Sequence, residues 1–514
     1  MTSFKLLIDT NVIIGLEDAV PVQASLADLV RLSSEHSVGL FVDGANYDDV
    51  LRDKDVTRRS VTLSKLAKFQ QLRDIPLLEH TKLVARFGAI NSENDRSDVR
   101  LLAAIEAKAV DFLVTQDIKL HRRAARVGIG GNILTVEDAV QWLKRTFTAK
   151  PVSLPYVVER KAYEISRDHT ILASLRADYP DFDRWFDKCR KEHRDCWTLE
   201  IAGELAGLVI RKDESHVEAK TRHPGPKILK ICTFKVRDEF QGEKFGELLL
   251  KQVLWFAQRN RYDLIYLTAF PKQAFLIDFL LYYGLKETMK LPNGEIVLEK
   301  PMLSGALPGL AGPPFEFDRE WYPRYCEAPT VGKFCVPILP YYHQLLFPEI
   351  AFLVDLPLFP ADMLGPTLDP RQERVPGNTI RKVYLCRART TRLRSGDMLF
   401  FYMSKDIRYA ASQSITTLGI VEQVNNSTTT NDLIRLTAKR SVFSADDLRL
   451  MRASTDSPMK VIDFLLVGHI KPPVRLDMLL ATGVFSNRPP QSITQLSEAK
   501  YAKLKPYIRL DFDA

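Results

Sequence analysis

The first 147 residues alternate short apolar runs with amphipathic stretches. "KLLID", "VGLFVD", "DFLVTQD" and "GGNILTV" have strand length, whereas "ASLADLVRLSSEH", "SKLAKFQQLRDI", "RSDVRLLAAIEAKA" and "VEDAVQWLKRTF" repeat their apolar positions at helical spacing. Strand followed by helix, repeated, predicts a parallel α/β sheet. "TAKPVSLPYVVER" predicts a linker, because several helix-breaking signals fall together. From 152 to 303 the pattern becomes α+β: a hairpin in "CWTLEIAGELAGLVIRK", a long strand in "KILKICTFKV" and a strongly periodic helix in "GELLLKQVLWFAQRN". The Gly- and Pro-rich "LSGALPGLAGPPFEFD" marks a second boundary. From 314 to 514, turn residues separate the short runs "KVYLCRA", "GDMLFFYMS", "ITTLGIVEQV" and "DFLLVGHI", which predict a small β-barrel with helical additions. The expected fold class is multidomain α/β, with domains at 1–147, 152–303 and 314–514. No internal repeat or low-complexity tract interrupts them.

Composition adds limits. At 514 residues and 46% hydrophobic content, the chain is longer than one core usually serves. A net charge of +8 permits an anionic partner, although 72 basic against 64 acidic residues describe a mixed surface. Cys189, Cys196, Cys232, Cys326, Cys335 and Cys386 form no CxxC pair, which argues against a zinc ribbon or a disulfide framework and for reduced thiols in a cytoplasm. No basic n-region precedes the first strand, and no apolar stretch approaches the length of a membrane span. A soluble cytoplasmic protein is expected.

The first candidate site is acidic. Asp9 closes the first strand and Asp117 follows "DFLVT", while Asp98 opens a helix and Asp48 and Asp49 start "DDVLRD". In a parallel α/β sheet, residues just beyond the carboxyl ends of strands collect on one edge. Any one aspartate is explained by a cap or turn. Several together repel one another unless a cation sits among them, and oxygen ligands select Mg²⁺ or Mn²⁺ over zinc. "LLIDTNVII", "YDDV", "NDRSDVRLLAA" and "LVTQD" resemble the successive motifs of PIN-domain ribonucleases. The resemblance implies that Asp9, Asp49, Asp98 and Asp117 are metal-binding catalytic acids, with Asn11 and Thr115 as polar supports. Asp48 and Asp49 are adjacent, and the family usually has a glutamate there. The basic segments 52–60 and 119–128 are either RNA-phosphate contacts or solvated helix faces.

The second candidate is the string "FKVRDEFQGEKFGELLLKQVLWFAQ", a strand, a charged turn and a helix. Turn glycines and a helix N-terminus can hold a pyrophosphate through backbone amides. The string resembles the Q/R-x-x-G-x-G/A motif of GNAT acyltransferases, and "LIYLTAFPKQAFLIDFLLYYGL" resembles the second half of that family's fold. The resemblance implies acetyl-CoA bound around Val236, Gln241, Gly242, Lys244 and Gly246. Lys244 stands where the family has its middle glycine. Leu280 replaces the tyrosine that serves as general acid, leaving Tyr282 and Tyr283 as displaced candidates.

The third candidate, "GNTIRKVYLCRARTTRLRSGDMLFFYMSKD", resembles PUA-like domains of the ASCH or EVE type. It implies RNA or modified-base contacts by Asn378, Arg381, Lys382 and Tyr402, with basic groups for phosphate and an aromatic face for stacking. Phe400 and Phe401 are expected in a core. Together the three resemblances imply an RNA-directed enzyme: a metal-dependent endoribonuclease joined to an acetyl-CoA-binding domain and an RNA-binding barrel, with a toxin or defence role. The alternative is an N-acetyltransferase acting on RNA or a protein, the other two domains only recruiting substrate. Expected partners are RNA and acetyl-CoA, with a second copy in a homodimer, a protein acyl acceptor or an antitoxin, and no membrane.

Overall fold

The computed structural model describes residues 4–15, 24–72, 75, 79–147, 157–201, 204–303, 305, 307–350, 379–440, 443–510 and 512. They divide into two compact units. The first contains residues 1–150 with 241–243 and 429–453, and the second contains 151–240, 244–428 and 454–514.

In the first unit, strands β1 (Lys5–Ile8), β2 (Gly39–Val42), β3 (Gln70–Gln71), β4 (Phe112–Val114) and β5 (Ile133–Leu134) form one parallel sheet in the order β3-β2-β1-β4-β5. Leu6, Leu7, Ile8, Phe112, Leu113 and Val114 are fully buried, as strands covered on both faces must be. The helix Ala24–Glu35 buries Leu26, Leu29 and Leu32, and Glu93–Glu106 buries Val99, Leu101, Leu102 and Ile105. The winding direction reverses between β1 and β4. That reversal opens a crevice beyond the carboxyl ends of these two strands.

The second unit holds two sheets. Strands β6 (Val157–Lys161), β7 (Asp195–Ile201), β8 (Glu204–Glu214), β9 (Ile228–Val236), β10 (Leu264–Ala269), β11 (Lys286–Lys290) and β12 (Ile296–Pro301) are ordered β11-β12-β10-β9-β8-β7-β6. Every pair is antiparallel except β9 and β10, which the helix Phe245–Arg259 connects as a crossover. The second sheet orders β13 (Lys333–Ile338), β14 (Arg381–Cys386), β15 (Met398–Met403), β16 (Ser414–Ser427), β17 (Met459–Arg475) and β18 (Thr494–Leu496) as β14-β17-β16-β15-β13-β18. Its outer strands β14 and β18 do not pair with each other among the described residues, so the sheet is open and not the closed barrel expected from the sequence. One apolar cluster runs from Trp197, Leu249 and Tyr283 to Tyr322, Ile380 and Leu465, joining the two sheets. Tyr322 fixes the junction: it accepts a hydrogen bond from Trp255 Nε1 at 3.1 Å and donates to the Leu466 carbonyl at 2.8 Å.

Candidate functional site

The crevice of the first unit brings the sequence-selected acids together. Asp9 follows β1, is 7% exposed, and accepts hydrogen bonds from Thr115 Oγ1 (2.6 Å), the Thr10 amide (2.6 Å) and Asn11 Nδ2 (2.9 Å). Asp117 caps the helix Ile118–Arg126 by accepting from the Lys119 amide. Asp49 accepts from Thr10 Oγ1 at 3.2 Å and pairs with Arg52, whereas Asp48 is exposed. Burial pushes Asp9 up to about 6 against the hydrogen bonds from Thr115 and Thr10, and the charges of Asp49 and Asp117 add to it. Asp98 is pushed up to about 7 by burial and then by Asp117 and Asp9, with Arg123 opposing.

Sequence reasoning missed a supporting pair. Asp43 is 0% exposed, caps the helix Gly44–Leu51 and pairs with Arg100. Asn46 Nδ2 donates to the Ile8 carbonyl at 3.0 Å and to Thr10 Oγ1 at 3.1 Å, fixing the end of β1 from the neighbouring helix. A reciprocal Asp43–Asn46 capping box was the available signal. The donor set suits a hard divalent cation, being carboxylate oxygen with amide and hydroxyl support. As they stand, no three His, Cys, Asp or Glu side chains among the described residues are close enough to hold a metal ion.

The two raised carboxyls give this crevice a pH dependence. Both bind protons more tightly than a free aspartate, whose ordinary value is 3.8. Between about pH 4 and 7 the folded chain therefore carries the extra protons, and stability falls as pH rises through that window. Asp98→Asn in EDTA is expected to raise stability at pH 8 by about 1 kcal/mol, a value reduced for its partial exposure, or roughly 2 °C in melting temperature. The difference should vanish at pH 4. An unchanged melt at pH 8 would mean that neither burial nor the neighbouring carboxylates disfavour the charged form of Asp98.

In the second unit, β9 and β10 part company. Their parallel ladder joins Leu264–Leu267 to Ile228–Ile231 and stops, although β9 continues to Val236 and β10 to Ala269. On its other side β9 stays paired with β8 as far as Val236 opposite Gly207. The helix Phe245–Arg259 begins beyond this opening, with Lys244 as its cap residue at φ +66°. A Cβ on Gly246 would meet Phe234 at 3.8 Å and Val236 at 4.0 Å, which are ordinary contacts, so packing among the described residues does not require glycine there. Gly246 is the second residue of the helix, so the absence of a side chain leaves the helix start open to approach. Gly242 differs. It is grouped with the first unit at φ +81°, where a Cβ would lie 2.8 Å from the Glu137 carbonyl oxygen, so packing accounts for this glycine. Gln241 belongs to the same group.

Both displaced tyrosines are engaged by carboxylates. Tyr283 donates to Glu247 Oε1 at 2.7 Å, and burial holds its hydroxyl well above the ordinary range. Tyr282 donates to Glu422 Oε1 at 3.0 Å. Sequence reasoning overlooked another pair at the open strand end. Glu295, 8% exposed, precedes Ile296, which pairs with Ala269 at the end of β10. It accepts from Tyr179 at 3.3 Å, and the Tyr179 ring packs on Phe270 at 5.3 Å.

The residues expected to meet nucleic acid are placed otherwise. Asn378 lies outside the described residues. Lys382 and Tyr402 are each 2% exposed and present no surface to RNA, since β14 and β15 are covered on the faces that carry them. Arg381 is turned to Glu422 in an ion pair and stacks over Tyr282 at 4.6 Å. Phe400 and Phe401 are buried, as expected. Arg387, Arg389, Arg392 and Arg394, on the loop after β14, are exposed.

Residues 160–281 match the acetyltransferase (GNAT) family, so the middle of the chain is a GNAT-type domain. No curated protein matches the chain. Among solved structures, an ASCH protein from Zymomonas mobilis is similar at 16% identity and TM-score 0.24, over 35% of this chain and 96% of that one. A GNAT family acetyltransferase from Elizabethkingia anophelis with acetyl-CoA bound is similar at 15% identity and TM-score 0.22, over 28% and 98%. A bacterial toxin is similar at 19% identity and TM-score 0.22, over 28% and 90%. At these scores the likenesses settle neither fold nor activity. No helix among the described residues is long and apolar enough to cross a membrane.

Proposed function

We infer that the chain is an acetyl-CoA-dependent N-acetyltransferase acting on RNA or a protein, with the other regions bringing the acceptor. The observation that carries this reading is the opening between β9 and β10 beside a helix start that Gly246 leaves uncovered. The family match over 160–281 supports it. Acetyl-CoA, when bound, supplies the acyl group. The chain's own part is to receive the pyrophosphate at the start of the helix Phe245–Arg259, with the Lys244 charge beside it. The unpaired edges of β9 and β10 can take the amide groups of an extended ligand as a strand would. Glu295 is the carboxylate we assign to accept the proton of the acceptor amine, held by Tyr179.

Gly246→Ala separates ligand from scaffold. The variant is expected to fold with equal or slightly greater stability and to bind acetyl-CoA at least about tenfold more weakly by calorimetric titration. Undiminished binding would remove the reading's main support. Transfer of labelled acetyl from acetyl-CoA to RNA and protein fractions then identifies the acceptor class.

A second reading rests on a separate observation, the convergence of Asp9, Asp49, Asp98 and Asp117 on one crevice. It is metal-dependent endoribonuclease activity of the PIN type. A Mg²⁺ or Mn²⁺ ion held by these acids would supply an activated water, and Thr115, Asn11 and Thr10 orient the carboxylates. Asp9→Asn combined with Asp98→Asn is expected to abolish Mn²⁺-dependent cleavage of single-stranded RNA while leaving acetyl-CoA binding intact. Cleavage at an unchanged rate would remove this reading.

A further inference from the structure

A cavity of about 880 Å³ lies in the second unit, between the end of the helix Phe245–Arg259, residues 307–310 and residues 324–328. Its volume is that of a small-molecule site. One wall is apolar: Leu307, Pro308, Leu310, Phe317 and Phe512. Its charges are Arg261, Arg324 and Glu327. Glu327 is already engaged, accepting from Tyr501 at 2.6 Å and pairing with Lys505. Arg324 spends one N–H on the Leu303 carbonyl at 2.7 Å, and neither Arg324 nor Arg261 has a carboxylate within ion-pair distance among the described residues. Among the described residues the cavity thus carries two guanidinium groups without carboxylate partners, the exposed Arg261 and the half-buried Arg324, and it is apolar along one side.

Arg261 shares its backbone conformation with Lys108, His193 and Arg452, which also follow helix ends. It sits just past the helix end at φ +54°, the left-handed position that helices fill with glycine or asparagine. A side chain there is strained, and glycine would relieve it.

We propose that this cavity binds a small anion carried on an apolar ring, its carboxylate or phosphate held by Arg261 and Arg324 and its ring laid against Phe317 and Leu307. Planar guanidinium groups bind both anions in the same forked geometry. The site is independent of acetyl-CoA, because it lies at the opposite end of the helix from Lys244 and Gly246.

The test is calorimetric titration of the full chain with phenylacetate, phenyl phosphate and uncharged 2-phenylethanol, with and without excess CoA. At least one anion should saturate, with 2-phenylethanol about tenfold weaker or worse, and the tighter of the two anions identifies the group recognised. CoA should leave the binding unchanged. Arg261→Gly should melt no lower than the parent yet bind the anion at least about fivefold more weakly, and Arg324→Leu should weaken it further. Equal binding of all three probes, no saturation by any of them, displacement by CoA, or full binding by Arg261→Gly would each overturn the proposal. Because Arg261→Gly relieves strain, a loss of binding in it is not attributable to misfolding.

Discussion

Gly284→Ala is expected to destabilise the chain by about 4 kcal/mol, through backbone strain and overpacking together. Gly284, in the "YYGL" segment, sits at φ +86°, so any side chain begins in a disfavoured backbone conformation. The space is also taken. A Cβ would lie 2.7 Å from Lys300 Nζ and 2.9 Å from the Glu320 carbonyl carbon, and closer still to its oxygen. Lys300 cannot retreat cheaply, since it is buried and donates to the carbonyls of Tyr283 and Glu320. Chemical denaturation at pH 7 measures the loss. A change under 1 kcal/mol would show that the turn accommodates a methyl group, which strained left-handed positions rarely do.

Lys382→Met is expected to act in the opposite direction, raising stability at pH 7 by about 2 kcal/mol. Lys382 Nζ is buried without a hydrogen-bond partner among the described residues, and it faces the Phe347 ring at 5.7 Å. Burial pushes its ammonium down to about 7, with the Glu349 charge opposing and Lys251 assisting. The unfolded chain, where lysine keeps its ordinary value of 10.5, binds the proton more tightly than the folded one. Stability therefore rises with pH between about 7 and 10.5, and methionine removes that slope. Glu349 keeps its partner, because Lys251 remains 2.5 Å away. Melts of both forms at pH 7 and pH 10 should converge at the higher pH. A variant less stable than its parent at pH 7 would mean that the ammonium has compensation the structure does not show.

Much of the architecture was readable because pattern and packing agree. The hairpin, long strand and periodic helix expected in the middle region are β7, β8, β9 and Phe245–Arg259, where apolar side chains alternate or repeat as burial requires. Strand β3 was not readable. Gln70 and Gln71 are both exposed, and only pairing with Phe41 and Val42 makes them a strand. The extent of β17 was hidden for another reason: Pro472 and Pro473 signal an end, yet the strand continues past them to Arg475.

Asp9 and Asp117 were legible because each follows a strand, and strand ends meet at a reversal of winding, whereas Asp49 and Asp98 lie inside the helices Gly44–Leu51 and Glu93–Glu106 and do not open them as expected. Asp43 escaped because a capping aspartate reads the same wherever it falls. Lys382 misled for the converse reason. A basic residue in a short strand reads as solvent-facing, and it takes Phe347, distant in sequence, to cover it. Its burial is a tertiary fact.

The early end of the β9–β10 ladder makes the centre of a seven-stranded sheet behave over its last residues as two raw margins. Margins at a sheet's rim can be blunted by charge or a bulge, whereas these interior ones face each other across the gap. Without an occupant, the amides of Cys232–Val236 that point toward β10 are left to water, and they should trade hydrogen for deuterium faster than those of Ile228–Ile231 a few residues away. Acetyl-CoA would then do more than deliver an acyl group: by filling the gap it would complete the sheet.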